Sequence, residues 1–514
     1  MSYNRTQNVI KNSTASLIQR FVQIIAHFVI RTVFIYYLGR EYTGISGLFT
    51  DVLQVISLME LGLDASMIYS LYEPVAKNDS RRISALLNFY RQAFTIIGVA
   101  VLIIGIGCTP FLRYIVKDVP NIREDIRIIF LAYVLTSSCS YFLVYRSVLL
   151  RADQKSRVIS NISSTVTIAE TITEAVVLII TRNFFAYLII RFIATIGRNL
   201  IISIVSTKTY REFFSDKESR LSKSEKRKLY VDLFCLTIYN LAGVVIYSTD
   251  SIFISAFVGT VEVAIIGNFT LILNAARTAV NQIVGATKPS IGNLAATSSN
   301  EKQELVFKRM NFISFWVSCL CCTCLFVLLN PFVGGIWFDE SYRIATSIVA
   351  VLVANFFIAV MVFPVESFRT ANGLFIQGWM RPAIMAVLNI VLDFWWGKIW
   401  GIFGIFIATT VSRLATQVWY DPWLVYKKVF NQKVLPYYVT YIIYAVITCA
   451  SCVFAYILCG MFSIRPNLLD FVLKALIAFA IPNLIIVILY RGTDEYKYVL
   501  EFAGKILRRI KRNT

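Results

Sequence analysis

Arg20, Gln23, His27 and Arg31 fall inside the first hydrophobic stretch of the chain, Ser13 to Leu38, which is long enough to cross a bilayer. At about 100° per residue, positions 20, 27 and 31 lie within roughly 20° of one line, with Gln23 about 60° aside. One face of this helix is therefore cationic at membrane depth. An arginine near the middle of a membrane helix costs on the order of 3 kcal/mol on insertion scales, so it belongs against protein or a wet cavity and marks a pathway. For Arg20 and Arg31 singly, snorkelling to the interfaces is the plain alternative. His27 is too central for that, and its plain alternative is a hydrogen bond to a neighbouring helix.

Three further helices repeat the pattern. Arg191 and Arg198 stand seven residues apart and nearly collinear. Asn274, Arg277 and Asn281 share a face, with Arg277 well inside its span. Asp232, Tyr239 and Asp250 occupy another, the two aspartates eighteen residues and about five turns apart. Several guanidinium groups in one cavity would repel small cations and suit a phosphate or diphosphate, whose oxygens the arginine fork grips in pairs. The competing reading is interhelical ion pairing, for which Asp51, Glu60, Asp64, Glu170, Glu174, Asp232, Asp250, Glu366 and Asp393 are available. His27 and the acids Asp51, Asp232 and Asp250 are the candidates for ion coupling.

The elements that must carry these residues are membrane helices. With 514 residues, 57% of them hydrophobic and 16% charged, and a mean hydropathy of +0.67, the chain is neither an ordinary soluble protein nor a disordered one. The start, MSYNRTQNVIKNSTAS, lacks a short apolar core followed by a small-residue cleavage site, so the first span is expected to be retained. A formal charge of +20 invites a nucleic-acid partner, but the cations sit in short loops between apolar spans and are better explained by topology. The ten cysteines lie in or beside apolar spans. The run Cys319 to Cys324 has no second Cys or His pair at ligand spacing, so these are expected to be small packing residues, with no metal and no cofactor.

Apolar windows fall near 14–38, 44–72, 87–109, 126–149, 158–180, 184–206, 231–258, 262–287, 310–330, 344–368, 382–398, 401–420, 435–459 and 468–490, giving about fourteen transmembrane helices. With both termini cytoplasmic, the inner loops hold the dense basic runs, Lys208 to Lys228 and Arg508 to Arg512 among them, as the positive-inside rule requires. At a shift of 220 residues Gly39, Ile45, Gly47, Phe49, Thr50 and Leu53 recur as Gly259, Ile265, Gly267, Phe269, Thr270 and Leu273, and Arg151 after helix four is echoed by Arg369 after helix ten. The expected organisation is an N-terminal six-helix lobe (1–206), a cytoplasmic linker (207–230), a C-terminal six-helix lobe (231–426), two additional helices (427–490) and a basic cytoplasmic tail (491–514). The fold class is an all-α polytopic membrane protein with two pseudo-symmetric lobes. Such parallel lobes around a shared cavity, with Arg277 facing Arg20 and His27 across it, form a transporter plan. No GxxxxGK[ST] run, HExxH pair or large exported loop of clustered His and acids points to an enzyme.

The run IRTVFIYYLGREYTGISGLFTDVLQVISLMELGLDASMIYSLYEPVAKND (Ile30 to Asp79) resembles the opening of Wzx-type flippases for polysaccharide repeat units. LLRADQK (Leu149 to Lys155), YSTDSIFIS (Tyr247 to Ser255), PSIGNL (Pro289 to Leu294), NPFVGGIW (Asn330 to Trp337) and FRTANGLF (Phe368 to Phe375) resemble the same family. It belongs to the multidrug/oligosaccharidyl-lipid/polysaccharide exporter superfamily. The resemblance implies an inner-membrane protein that turns an undecaprenyl-diphosphate-linked oligosaccharide from the cytoplasmic to the outer leaflet, alongside other polysaccharide-assembly proteins. Related lipid II flippases use arginines of helices one and eight in a cationic cavity, and Arg20, Arg31 and Arg277 occupy comparable places. Their lipid-tail groove involves two extra C-terminal helices, which would correspond to 435–459 and 468–490. Drug exporters of the superfamily rely on cavity acids, and Asp51 and Asp250 keep a cation-coupled exporter as the second reading.

Overall fold

The computed structural model describes residues 2–57, 63–117, 122–216, 218–227, 229, 248–285, 291, 298–374, 380–461 and 467–501. They are almost wholly helical, as a bilayer without water requires of any backbone that crosses it. Labelled here are α1 (Ser2–Leu38), α2 (Arg40–Ile56), α3 (Leu63–Lys77), α4 (Ser80–Cys108), α5 (Ile126–Val144), α6 (Ser156–Thr181) and α7 (Phe184–Thr209). There follow α8 (Thr260–Gly285), α9 (Asn300–Pro331), α10 (Thr346–Ala371), α11 (Met380–Arg413), the short α12 (Trp419–Val425), α13 (Leu435–Met461) and α14 (Asn467–Tyr490). Eleven helical stretches among the described residues are long and apolar enough to span a membrane. The chain is an all-α, multi-pass membrane protein.

One expected span takes a different form, and another falls largely outside the described residues. The window 44–72 falls on two helices, α2 and α3, and 231–258 lies mostly outside the described residues. The windows 382–398 and 401–420 are two helical arms, as expected, and they meet at a break at Gly401 (φ 58°, ψ −134°) inside α11 and its continuation. That break folds the run back on itself. Asn389 Nδ2 donates to Thr409 Oγ1 at 3.3 Å although twenty residues separate them, a distance of about 30 Å in a straight helix. The two arms touch so closely that a Cβ at Gly404 would lie 2.1 Å from the Trp396 carbonyl oxygen.

The burial pattern is that of a protein dissolved in lipid. Isoleucines such as Ile180 (75% exposed) and Ile488 line the outer faces, whereas Asn268, Ser314, Ser318, Asn389 and Asp393 are fully buried. In water the ordering would be reversed. Helix starts in the loops carry their own caps: the side chains of Asp79, Asp125 and Asn183 accept from the backbone amides of Arg82, Arg127 and Ala186.

The chain divides into two compact units, Met1–Ile265 and Ile266–Thr514. In the first, α1 packs along α6, α6 against α7, and α4 and α7 against α5. Gly39 (φ +89°) turns α1 into α2. The start of α8 closes on this unit: a Cβ at Gly44 would meet the Thr260 carbonyl oxygen at 2.1 Å, and Arg31 Nη2 donates to the Ala264 carbonyl at 2.8 Å. The opening residues of the two echoed segments, 39–53 and 259–273, are thus in direct contact. The polar linker is docked, not trailing. Ser84 Oγ donates to Phe213 O at 2.9 Å, Asn88 Nδ2 to Asp216 O at 3.0 Å, and Phe213, Phe214, Leu221 and Leu229 join the apolar cluster of α3 and α4.

In the second unit α9 is the central post, with α10, α13 and α14 packed around it. Phe315 stacks on Tyr444 with ring centroids 3.9 Å apart, and Trp316 Nε1 donates to Asn483 Oδ1 at 2.8 Å. The described cysteines are all free. Cys319, Cys322 and Cys452 fill the α9–α13 seam, where Cys319 Sγ reaches Ser451 Oγ at 3.7 Å. Cys235 lies outside the described residues.

Candidate functional site

Helix α6 reads SRVISNISSTVTIAETITEAVVLIIT, and its residues Ser160, Ser163, Thr167, Glu170 and Glu174 recur at alternating spacings of three and four. Such spacing draws one polar stripe along a membrane helix. Helix α1 covers its first turn, with Ser16 Oγ 3.5 Å from Ser160 Oγ and Asn12 accepting from the Arg157 amide at 3.0 Å. Helix α7 brings its two arginines to the other end. Arg198 Nη2 meets Glu170 Oε2 at 2.5 Å and also donates to Thr167 Oγ1 at 3.4 Å. Arg191 Nη1 donates to Tyr187 Oη at 3.1 Å, and its guanidinium carbon lies 5.6 Å from the centroid of the Tyr133 ring. Tyr133 shares a hydrogen bond of 2.6 Å with Ser46. Glu174 is only 5% exposed and feels the charges of Glu170, Arg191 and Arg198. His27, exposed on α1, feels Arg191.

The first unit therefore brings His27, Arg191 and Arg198 into one electrostatic neighbourhood and supplies two acids to it. Arg198 is committed to Glu170, which is the ion-pair alternative for that residue. Arg20 lies exposed on α1, Gln23 beside it is half-buried, and Arg31 is half-buried and anchored to the Ala264 carbonyl. Asp51 is half-buried on α2 and hydrogen-bonded by Ser251, and Asp250 is 8% exposed. Asp232 lies outside the described residues.

In the second unit Arg277 sits half-buried in the middle of α8, with Asn274 exposed one turn before it. Two buried clusters there were not singled out as sites from the sequence. Asp421 Oδ1 lies 3.1 Å from Arg369 Nη1 and 3.1 Å from Arg381 Nε, and all three residues are buried. Arg369 Nε also donates to the Leu374 carbonyl at 3.0 Å. In the α11 hairpin, Asn389 Nδ2 donates to Asp393 Oδ1 at 3.2 Å and to Thr409, with Asp393 wholly inaccessible. A carboxylate, an amide and a hydroxyl are oxygen donors of the kind hard cations accept. Among the described residues no group of three or more His, Cys, Asp or Glu is arranged to hold a metal ion. The sequence signal for the α11 cluster was the i, i+4 pair Asn389 and Asp393. The Arg369–Asp421–Arg381 cluster joins residues up to 52 positions apart and left no local trace.

No protein-family model and no curated protein matches the sequence. Solved structures of similar fold are found. A lipid II flippase, MurJ, in an inward closed conformation superposes over 94% of this chain and 99% of its own, with a TM-score of 0.65 at 14% identity. The fold is that of the MOP-superfamily transporters. An inward-facing MATE multidrug-resistance transporter of that superfamily covers 79% of this chain and 97% of its own (TM-score 0.56, 13% identity). A MOP-superfamily transporter from Pyrococcus furiosus, described as having a binding pocket of reversed polarity, covers 80% and 94% (TM-score 0.53, 14% identity). The MurJ likeness takes in nearly all of both chains, while the MATE likenesses leave about a fifth of this one uncovered.

Proposed function

We propose that this protein is a flippase that moves an undecaprenyl-diphosphate-linked oligosaccharide repeat unit across the cytoplasmic membrane by alternating access, for capsule, O-antigen or exopolysaccharide assembly. The observation that carries the reading is the set of arginines at membrane depth: Arg20 and Arg31 on α1 and Arg277 on α8. Guanidinium groups at that depth suit a diphosphate, which offers several oxygens to their paired donors. A fold shared with a lipid II flippase over nearly the whole chain supports a lipid-linked cargo. The two-lobed plan, in which α13 and α14 stand outside an internal repeat of six helices, belongs to the same reading.

In this scheme Arg20, Arg31 and Arg277 hold the diphosphate, with His27 and Arg191 flanking it and Arg198 acting mainly through its pair with Glu170. Asp51, Asp232 and Asp250 remain the proposed ion-coupling acids. Arg277→Ala is expected to abolish surface polysaccharide while the protein still inserts at its normal level. Normal export by that variant would remove Arg277 from the mechanism.

A second reading, a cation-coupled drug exporter, draws on the buried Asp250 and the MATE likeness. Efflux of hydrophobic cations from cells expressing the protein would favour it. Transport of labelled lipid II by reconstituted protein, with no transport of repeat-unit substrates, would move the cargo to peptidoglycan precursors.

A further inference from the structure

The cluster on α6 and α7 contains two acids and two guanidinium groups, but only one contact pair is made. Arg198 is held by Glu170 at 2.5 Å. Glu174, one turn further along the same face, is 5% exposed and makes no hydrogen bond or ion pair with a described residue; Arg191 and Arg198 act on it only at longer range. Arg191 in turn rests on neutral groups, the hydroxyl of Tyr187 and the ring of Tyr133. Burial disfavours the charged form of a carboxyl and a nearby guanidinium favours it, so the charge of such a group is set by a balance and responds to its surroundings.

Among the described residues, these charged and titratable groups act on Glu174. Its own helix contributes Glu170, α7 contributes Arg191, Arg198 and Tyr187, and α5 contributes Tyr133. On α1, His27 interacts with Arg191. With both acids ionised the four charges cancel. With Glu174 protonated the cluster carries one net positive charge, located on Arg191. Ser160, Ser163 and Thr167 continue the polar face from Glu174 and Glu170 to the start of α6.

We propose that Glu174 is a proton-binding site whose occupancy turns the Glu170, Glu174, Arg191 and Arg198 cluster from neutral to cationic, so that a proton and an anionic diphosphate headgroup bind the N-terminal unit together. The inference rests on the diphosphate-lipid reading above and adds to it the ion and the residue that link binding to pH. No bond to carbon or phosphorus is made or broken: the proton moves between water and a Glu174 carboxylate oxygen, and the headgroup replaces the carboxylate as the counter-charge of Arg191.

The test is binding of undecaprenyl diphosphate to the purified full-length protein in nanodiscs from about pH 5.5 to about pH 8.5. Because the diphosphate itself gains protons on acidification, the quantity read is the ratio of wild-type to Glu174→Gln affinity at each pH. One linked proton predicts that Glu174→Gln binds as tightly as the acidified wild type, while the wild type falls behind it by up to about tenfold per pH unit as the pH rises. Glu174→Asp is expected to restore the pH dependence, and His27→Gln to leave it in place. Should Glu174→Gln fail to insert, Arg191→Gln gives the second reading, since it must bind weakly at every pH. A ratio that stays constant with pH, or a dependence that vanishes in His27→Gln, would overturn the assignment to Glu174 while leaving the flippase reading standing. Absence of binding by every protein at every pH would overturn both.

Discussion

Each half of the chain buries arginines with acids, but the two halves do so in opposite ways. In the unit Met1–Ile265 the α6–α7 cluster has equal numbers of acids and guanidinium groups, one contact pair, and partners that are half-exposed or held at longer range. In the unit Ile266–Thr514 Asp421 bridges Arg369 and Arg381, with all three buried. An inaccessible cluster cannot exchange a ligand, and its charges hold α10, α11 and α12 in register. The loosely paired cluster, with Glu170, Arg191 and Arg198 half-buried, can change its charge. The same residue types thus serve as a brace in one unit and as a responsive group in the other, and how fully their charges are paired is what separates them.

That contrast can be broken by substitution. The largest effect is expected at the brace. Asp421→Ala removes the carboxylate that bridges two buried guanidinium groups and should cost about 3–5 kcal/mol. It should appear as a sharply lowered melting temperature of the detergent-purified protein. Replacing Arg369, Arg381 and Asp421 together with apolar residues of similar volume should recover most of that loss. A single variant as stable as the wild type would show that the triad braces nothing.

Steric substitutions come next. Gly44→Ala and Gly404→Ala each drive a Cβ to within 2.1 Å of a backbone oxygen, and each should destabilise by about 1–3 kcal/mol. Gly404→Ala acts inside the α11 hairpin and should also weaken a cysteine cross-link engineered between positions 389 and 409. Unchanged cross-linking would mean that the hairpin tolerates the added atom.

The half-buried Glu170–Arg198 pair should matter far less to stability. A double-mutant cycle on Glu170 and Arg198 should return a coupling of about 0.6–2 kcal/mol, the range of polar contacts between membrane helices. A coupling as large as the Asp421 effect would erase the distinction between brace and responsive cluster.

The smallest effect lies outside the membrane. In the linker, hydrogen bonds from the Ser219 hydroxyl and amide hold Asp216 below the usual carboxylate range, and the Ser222 hydroxyl and amide do the same for Glu225. A carboxyl with a lowered folded-state pKa stabilises the docked linker above its unfolded pKa and loses that contribution as the pH falls through the folded value. Docking should therefore hold at neutral pH and loosen below about pH 4. Limited proteolysis by an acid-active protease should then cut between 216 and 227 sooner than elsewhere, and equal cutting along the chain would refute the effect.

Much of the architecture was readable before any coordinates. Hydropathy alone places most of the helices, since a bilayer leaves a crossing segment few choices besides an apolar helix of fixed length. Arg191 and Arg198 share a face because seven residues is nearly two turns. The sequence pattern failed where contacts are distant. The polar face of α6 was present in the spacing of Ser160, Ser163, Thr167, Glu170 and Glu174, but its acids entered only as possible ion-pair partners. Which of them pairs depends on how α7 is rotated against α6. The joining of Asn389 to Thr409 depends on the positive φ of Gly401, and that of Arg369 to Asp421 on packing between α10 and α12.

By itself, then, the sequence determined that this chain is a membrane-spanning helical protein with arginines at bilayer depth. The cost of putting polar groups in lipid is a local property, read from any window of about twenty residues. Only the tertiary structure decided which of those arginines are neutralised, which remain accessible, and that the fold is one shared with MOP-superfamily transporters. Those outcomes depend on which helices become neighbours, and for residues tens of positions apart no local pattern encodes that.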